Sequence, residues 1–200
     1  MPEHDPKKFD PGRAHMLDAP ERERYLPTGR LVALLELQGD ETVVDYGAGT
    51  GRLSRAVADA LAGGGEVVAV DESEQMAERL ADQLADVPRT RVLHISDNHV
   101  PLLDDRADRV LAVNLLHEVR GESALAEMRR LLRPGRFVLV VDWERGRERD
   151  SGPPDELLYT AAEAADELRG AGLVPEPLDA DLPFHFAVKA SKTPTSPQED

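Results

Sequence analysis

Three glycines that follow a strand-like segment are the residues of this chain best suited to binding chemistry. Gly47, Gly49 and Gly51 follow segment 43–46, and a helix-like pattern begins at Arg52. Glycine adopts positive φ and lets the backbone approach a ligand closely. A second apolar segment, 67–70, ends on Asp71, and an acid in this position can accept hydrogen bonds from both hydroxyls of a ribose. Together these residues predict a site for a nucleoside-containing cofactor.

The spacing of the glycines favours one kind of cofactor over another. The dinucleotide fingerprint G-x-G-x-x-G has its third glycine three positions after the second, and that position is Arg52 here. A pyrophosphate would need the close helix–strand approach that the third glycine allows. The spacing therefore argues against an NAD-type oxidoreductase, which stays as an alternative.

The pattern Asp45-x-Gly47-x-Gly49-x-Gly51 resembles motif I of the class I S-adenosylmethionine-dependent methyltransferases. The resemblance covers roughly residues 40–145, because segments 96–97, 108–118 and 131–140 follow in the family's order. It implies that the glycine loop packs on the methionine part of S-adenosylmethionine, that Asp71 binds the ribose, and that Asp97 accepts from the adenine amino group. The implied cofactor-binding residues are Asp45, Tyr46, Gly47, Gly49, Thr50, Gly51, Asp71, Glu72, Met76, Asp97, Asn98 and Asn114.

Alternating strand and helix patterns predict an α/β fold. Near-continuous Val, Leu and Ile at 42–46, 66–70, 91–95, 109–114 and 137–143 is typical of parallel strands buried on both faces. Helical patterns at 51–61, 73–85 and 121–132 separate them, which implies a doubly wound, Rossmann-like sheet with helices on both faces. The resemblance implies a mostly parallel seven-stranded sheet with a C-terminal antiparallel strand, formed by 173–178 and 183–190. Pro175 and Pro177 suit only an edge strand.

The domain organisation follows from the same patterns. We expect an N-terminal helical arm or lid at 1–28, an S-adenosylmethionine-binding domain at 29–190, and a disordered tail at 191–200, where Lys, Thr, Pro, Ser and Gln dominate. The arm and the loop 144–159 are the uncommitted segments long enough to cover a crevice beyond the carboxyl ends of the strands.

The amino-acid composition limits the classes of partner that we expect for this protein. The net charge is −15, from 39 acids and 24 bases, and a field of that sign disfavours nucleic acid. The chain has no cysteine and no apolar stretch of membrane-spanning length. These observations predict a cytoplasmic protein with a small-molecule methyl acceptor and no membrane partner, and leave a homodimer open. The six histidines show no ligand spacing such as H-x-x-x-H, so no metal is expected.

One histidine is the candidate for proton transfer. His117 follows the fourth predicted strand, where it could act as a general base or simply pack on the cofactor. Glu118 could be a second base or a first-turn acid that favours the helix dipole. Asp142, inside the fifth apolar run, could face substrate or bind a backbone amide. The acceptor is expected to contact Tyr25, Leu115, Glu118 and Trp143.

The sequence thus predicts a methyltransferase that uses S-adenosylmethionine on a small molecule. The sequences of its motifs are similar to those of the ubiquinone/menaquinone-biosynthesis-like branch. The resemblance does not predict the same substrate, because the residues that would contact the acceptor lie outside the matched region. A non-catalytic relative that keeps or loses the cofactor stays as a second alternative.

Overall fold

Seven β-strands and five α-helices alternate along the part of the chain that the computed structural model describes, residues 8–61, 64–119 and 122–194. The strands are β1 (Thr42–Tyr46), β2 (Glu66–Asp71), β3 (Thr90–His94), β4 (Ala107–Val113), β5 (Leu132–Trp143), β6 (Val174–Leu178) and β7 (His185–Ser191). The helices are α1 (Thr28–Leu34), α2 (Arg52–Ala60), α3 (Glu74–Leu84), α4 (Glu122–Leu131) and α5 (Ala161–Gly170). Two 3₁₀ helices, Pro11–Met16 and Pro20–Arg24, precede α1, and a third, Asp155–Leu157, follows β5.

The strands form one sheet in the order β3-β2-β1-β4-β5-β7-β6. Strands β1 to β5 are parallel, and β7 is antiparallel to both of its neighbours. The predicted doubly wound, mostly parallel seven-stranded sheet with a C-terminal antiparallel strand is confirmed. The chain proceeds outward from β1 to β3 and then returns to β4 on the other side of β1. Such a reversal opens a crevice beyond the carboxyl ends of the strands.

Both faces of the sheet are buried under helices. Neighbouring residues of a strand point to opposite faces, so each strand contributes side chains to both packing layers. Val43 and Leu139 pack with α1 and α2, whereas Val44 and Val138 pack with α4 and α5. All four side chains are fully buried, and each contributes about 1.5–3 kcal/mol by leaving water. This two-sided burial fixes the strand ends that carry the polar residues of the crevice.

Side-chain hydrogen bonds cap the starts of two helices. The Ser73 hydroxyl accepts a hydrogen bond from the Met76 N–H at the start of α3 (3.4 Å). At α5, the Glu163 N–H donates to Thr160 Oγ1 (3.3 Å), and the Thr160 N–H donates to Glu163 Oε2 (2.8 Å). This reciprocal pair is a capping box, for which the Thr160-x-x-Glu163 spacing is typical.

Several boundaries differ from the sequence prediction. β5 begins at Leu132 instead of 137, because Leu132 pairs with Ala107 ahead of an irregularity in the β4–β5 ladder. Helix α1, which no pattern above predicted, ends at Leu34, two positions before Glu36 adopts a positive φ of 52°. Strand β7 continues to Ser191, so the predicted disordered tail at 191–200 is wrong at its first residue. Residues 195–200 of that tail and 1–7 of the predicted arm lie outside the described residues.

Strand β6 shows how two prolines fit into this sheet. It pairs with β7 alone, with Pro175 opposite Ala190 and Pro177 opposite Val188. The backbone N–H groups of residues two positions apart point to the same side of a strand. Two prolines at this spacing therefore leave one side without two donors, and an edge strand tolerates this loss when that side is unpaired.

Two kinds of feature are absent from the described residues. No helix among them is both long enough and apolar enough to cross a membrane. They also contain no group of three or more His, Asp or Glu side chains arranged to hold a metal ion.

Candidate cofactor and acceptor site

A cavity of about 990 Å³ occupies the crevice where the strand order reverses. Its floor comes from the carboxyl ends of β1, β2 and β4, and its cover comes from the N-terminal arm (residues 8–27) and the post-β5 loop (residues 144–159). Most of the residues predicted from the sequence line it: Tyr25, Asp45, Tyr46, Gly47, Gly49, Thr50, Asp71, Glu72, Met76, Asn98, Asn114, Leu115, His117, Glu118 and Trp143. Gly51 and Asp97 do not line it.

The glycine loop has a conformation that other residues rarely adopt. Gly47, Gly49 and Gly51 have φ values of 78°, 58° and 83°, all in the left-handed region that favours glycine. The N–H groups of Gly47 and Ala48 both donate to Val70 O, at 2.8 and 2.9 Å. The loop that ends β1 is therefore fixed against the end of β2.

Protein side chains fill the space beside two of these glycines. A Cβ on Gly47 would lie 2.8 Å from Leu115 Cδ1, and a Cβ on Gly51 would lie 2.6 Å from Leu80 Cδ1. Both distances are too short for real contacts. Gly51 therefore serves the packing of α2 against α3, and this corrects the expectation that all three glycines make room for a ligand.

Two carboxylates organise the floor of the cavity. The Gly49 N–H donates to Asp71 Oδ2 and the Ser73 N–H donates to Asp71 Oδ1, each at 2.9 Å. Burial raises the pKa of Asp71, against the effect of these two hydrogen bonds. Asp45 accepts from Ser54 Oγ at 2.5 Å, and burial raises its pKa to about 6. Each carboxylate oxygen can accept more than one hydrogen bond. Asp71 can therefore accept a further hydrogen bond from a hydroxyl group.

The segment after β3 places only some of its residues at the cavity. Ser96 and Asn98 line it, and the Asn98 carbonyl accepts from the Tyr46 hydroxyl at 2.8 Å. Asp97 has a positive φ of 53° and is exposed. The adenine contact assigned to Asp97 therefore stays a prediction without support from the position of its side chain, and Met76 is better placed at the cavity wall.

An unsatisfied acceptor tests whether the cavity suits a polar ligand. Asn114 Oδ1 is buried and has no hydrogen-bond partner among the described residues, although Asn114 lines the cavity. The Asn114 N–H donates to Val141 O at 2.8 Å, so the backbone holds this position. Buried polar atoms in folded proteins nearly always have partners. The arrangement therefore fits a ligand that brings a donor such as an ammonium group.

His117 and Asp142 form a buried pair beside the cavity. Asp142 Oδ2 accepts from the His117 N–H at 3.0 Å, and Asp142 Oδ1 lies 2.8 Å from His117 Nδ1 and accepts from the Trp143 N–H at 2.7 Å. A carboxylate only accepts, so Nδ1 donates and Nε2 is the basic nitrogen of the neutral ring. Asp142 therefore binds backbone amides, as one of its two predicted roles required, and also orients His117.

Glu118 lies next to this pair. Its Oε1 is 3.8 Å from His117 Nε2. Burial raises the pKa of Glu118 to about 7, opposed by the nearby His117 and by a hydrogen bond from the backbone of Phe9 in the arm. His117 and Glu118 both line the cavity, which places two groups capable of proton transfer together.

An aromatic cluster forms the wall beyond this pair. The rings of Tyr25, Trp143, Phe184 and His185 lie within 4.2–6.5 Å of one another, centroid to centroid, in five pairs. Tyr25 comes from the arm and Trp143 from the end of β5, and both line the cavity. The sequence prediction did not include Phe184 or His185, because their contact with Trp143 depends on the β5–β7 register.

Polar contacts attach the arm to the glycine loop. Thr50 Oγ1 donates to Asp18 Oδ1 at 2.6 Å, and Glu23 forms an ion pair with Arg52, the first residue of α2. A Cβ on Gly49 would lie 3.3 Å from Leu17 Cδ1 of the arm. No spacing in the sequence linked Asp18 or Glu23 to the loop, since the arm meets it only through the tertiary fold.

Comparison with known proteins shows similarity to methyltransferases. Residues 43–135 match the model of a methyltransferase domain. A ubiquinone/menaquinone biosynthesis C-methyltransferase from Bordetella avium is 37% identical over 105 residues, which are 52% of this chain and 41% of that protein. An uncharacterised methyltransferase from Mycobacterium bovis is 35% identical over 135 residues, or 68% of this chain and 52% of that protein. The chain spans about half the length of these curated relatives.

A solved structure matches nearly the whole chain. The crystal structure of a SAM-dependent methyltransferase from Aquifex aeolicus superposes with a TM-score of 0.85 and is 27% identical, covering 92% of this chain and 98% of that one. The matched family segment contains the glycine loop, Asp71 and Asn114. Residues 43–135 therefore match a methyltransferase domain, and the fold of the chain is similar to that of an S-adenosylmethionine-dependent methyltransferase.

Proposed function

We propose that this protein transfers the methyl group of S-adenosylmethionine to a small molecule bound between the His117–Glu118 pair and the aromatic wall. The observation that carries the proposal is the single cavity that joins the glycine loop and Asp71 at one end to His117, Glu118 and Trp143 at the other. This arrangement provides both a cofactor site and an acceptor site at the switch point of the sheet.

The residues around the glycine loop suit the cofactor. Asp71 offers carboxylate oxygens for ribose hydroxyls, and Asn114 Oδ1 offers a buried acceptor for the ammonium group. Met76 gives an apolar contact beside the loop. When bound, the cofactor supplies a methyl group on a sulfonium leaving group, so the protein mainly has to align the acceptor and exclude water.

The acceptor side of the cavity provides a base and an apolar surface. Asp142 fixes the His117 ring with Nδ1 protonated, so Nε2 can take a proton. Glu118, with a pKa raised to about 7, is a second acceptor for that proton. Tyr25 and Trp143 present aromatic faces, which favour a flat, largely apolar acceptor that carries an ionisable O–H, N–H or C–H group.

The cover over the site comes from the arm and the post-β5 loop. Leu17, Tyr25, Gly152 and Pro153 all line the cavity from above the strand ends. Water exclusion by these segments would protect the aligned acceptor. Because the arm also contacts Thr50 and Arg52, we expect its removal to weaken cofactor binding as well as turnover. A cytoplasmic location and a homodimer stay predictions from the sequence.

Methyl transfer is tested directly with methyl-labelled S-adenosylmethionine and a panel of phenols, quinols and heteroaromatic N–H compounds. The proposal expects label in at least one acceptor and loss of most transfer in His117→Asn. The matched control is His99→Asn, at an exposed histidine that does not line the cavity. Binding of S-adenosylhomocysteine without transfer to any acceptor would instead support the non-catalytic alternative, and hydride transfer with NAD would support the oxidoreductase.

A further inference from the structure

The post-β5 loop is closed at its base. Glu144 and Tyr159 form an isolated parallel bridge, and the Arg145 N–H donates to Tyr159 O at 2.9 Å. A loop whose ends meet in this way and whose interior is filled by its own side chains is an Ω-loop, a type that frequently carries a functional surface. Residues 151–154 of this loop line the cavity beside Trp143. The way in which the loop is held therefore shapes this end of the cavity.

The guanidinium group of Arg149 joins the two halves of the loop. Its Nη1 donates to Arg147 O at 3.1 Å and lies 2.8 Å from Asp155 Oδ1. Its Nη2 donates to Pro153 O at 2.6 Å. The donors of a guanidinium have a fixed planar geometry, so one side chain fixes three points of the loop relative to one another.

Arg149 is shielded from water, unlike most charged residues of a surface loop. Its side chain is 9% exposed, whereas that of Asp155 is 48% exposed. Its Cζ lies 5.6 Å from the centroid of the Trp143 ring, within the range of a cation–π contact. Exposed ion pairs contribute little to stability, but hydrogen bonds to a shielded charge are costly to break. We therefore expect the loop to depend on Arg149.

Gly152 lies against both Arg149 and Trp143. Its φ is 117°, a conformation that other residues rarely adopt. A Cβ at this position would lie 3.0 Å from Arg149 Nε and 3.5 Å from Trp143 Cδ2, so the loop backbone approaches both side chains closely. Gly152 and Trp143 line the cavity and Arg149 does not. The guanidinium thus supports the cavity wall from behind.

We propose that Arg149 is a positioning residue for the methyl acceptor, because it holds the post-β5 loop against Trp143 and so forms the wall on which a flat acceptor binds. This inference rests on the proposed function, since it concerns the acceptor end of the same cavity. The groups that Arg149 contacts lie in the loop and at the end of β5, whereas Asp71 and Gly49 lie at the other end. Loss of Arg149 should therefore weaken acceptor binding and leave cofactor binding unchanged.

Steady-state kinetics separate this positioning role from a role in the chemical step. Arg149→Met removes the guanidinium and keeps an unbranched side chain, and the acceptors are the phenols, quinols and heteroaromatic N–H compounds that the parent methylates. The wall exists only when the loop is closed, so a smaller closed population raises KM and saturating acceptor restores kcat. We expect KM for the acceptor to rise roughly 5- to 50-fold, with kcat and S-adenosylhomocysteine affinity changed by less than about 2-fold.

The fluorescence of Trp143 gives a second readout that needs no methyl transfer. Trp143 is the single tryptophan of the chain and is 8% exposed. When the loop moves away from the ring, acrylamide reaches it more often, so the Stern–Volmer quenching constant should be roughly 2-fold or more higher in Arg149→Met than in the parent. An unchanged quenching constant together with an unchanged KM would overturn the inference.

Two further variants make the comparison specific. Arg147→Met removes an exposed arginine of the same loop, whose guanidinium pairs with Glu144 at 2.7 Å, and it should behave as the parent does in both measurements. Arg149→Lys keeps the charge, but a single ammonium group does not reproduce the planar fork that contacts Pro153 O and Asp155. It should give values between those of the parent and Arg149→Met, which keeps the test informative if Arg149→Met does not fold.

The remaining outcomes separate the inference from the proposed function. A fall in kcat at unchanged KM would assign Arg149 to the chemical step and refute the positioning role. Equal losses of acceptor affinity and S-adenosylhomocysteine affinity would show damage to the whole domain and would refute it as well. A parent protein that binds S-adenosylhomocysteine but methylates no compound would contradict the proposed function, and acrylamide quenching would still decide whether Arg149 holds the loop over Trp143.

Discussion

Replacement of His185 by phenylalanine is expected to change how the stability of the protein depends on pH. His185 is 4% exposed, and both ring nitrogens are buried without a hydrogen-bond partner among the described residues. The ring lies parallel to Tyr25, with centroids 6.0 Å and planes 3° apart, and 4.2 Å from Trp143. Burial lowers the pKa of His185 from 6.5 to about 3, in spite of the opposing charge of Asp142.

The sign follows from the two pKa values. Because the unfolded chain binds the proton near pH 6.5 and the folded chain only near pH 3, stability falls as pH drops through this interval. At pH 5 the difference from the unfolded pKa is about 1.5 units, which corresponds to about 2 kcal/mol at 1.36 kcal/mol per unit. At pH 7.5 the same group contributes almost nothing.

Other buried groups oppose this trend, so only a difference is informative. Glu118 and Asp45 have pKa values raised to about 7 and about 6. For an acid with a raised pKa, stability increases as pH falls through the folded value. Both carboxylates remain in His185→Phe, which keeps the aromatic ring and removes the titrating nitrogens. The comparison of variant and parent therefore isolates the histidine.

Urea unfolding at pH 7.5 and pH 5 measures the difference. Trp143 is the single tryptophan of the chain and packs against His185, so its fluorescence reports this cluster. The parent should lose about 2 kcal/mol more than His185→Phe between the two pH values, whereas His99→Phe, at an exposed histidine, should behave as the parent does. Parallel curves for parent and His185→Phe would refute the assignment of a buried neutral imidazole.

Three further predictions concern the cofactor loop and the proton-transfer pair. Asp71→Ala should weaken S-adenosylhomocysteine binding by ~1.5–3 kcal/mol, measured by calorimetry, because a carboxylate acceptor is lost; equal affinity would remove its ribose role. Gly51→Ala should destabilise the fold by about 1–3 kcal/mol in urea unfolding, since its φ is +83° and its Cβ would lie 2.6 Å from a leucine of α3. Gly170→Ala, with no atom within 4 Å of the added Cβ, is the control, and similar losses in both would contradict the packing argument. Asp142→Asn should lower turnover by roughly 100-fold with little change in cofactor affinity, because it disturbs the tautomer of His117; unchanged turnover would exclude that positioning role.

The sheet was predictable because its signals are local. Buried parallel strands give near-continuous apolar runs, and Val43, Val44, Val67 and Val68 show that pattern over both faces. The Thr160–Glu163 capping box likewise lies within four consecutive residues. Such features need no knowledge of distant contacts, so the element order could be obtained from the sequence.

The details of the site depend on tertiary contacts and could not be predicted in this way. Asp142 was identified as unusual, but its contact with His117 joins two strand ends 25 positions apart. The burial of Gly51 against Leu80 depends on how α2 meets α3. The contacts of Arg52 with the arm are similarly remote in sequence. A pattern of residue types gives the chemistry available, whereas the fold decides which groups meet.

Calorimetric titration of the parent protein with S-adenosylhomocysteine and, separately, with NAD tests the central claim most directly. The glycine spacing at 47, 49 and 51 and the cavity beside Asp71 predict one-to-one binding of S-adenosylhomocysteine and no heat from NAD. Tight binding of NAD together with no response to S-adenosylhomocysteine would contradict the assignment of this cavity to a methyl donor.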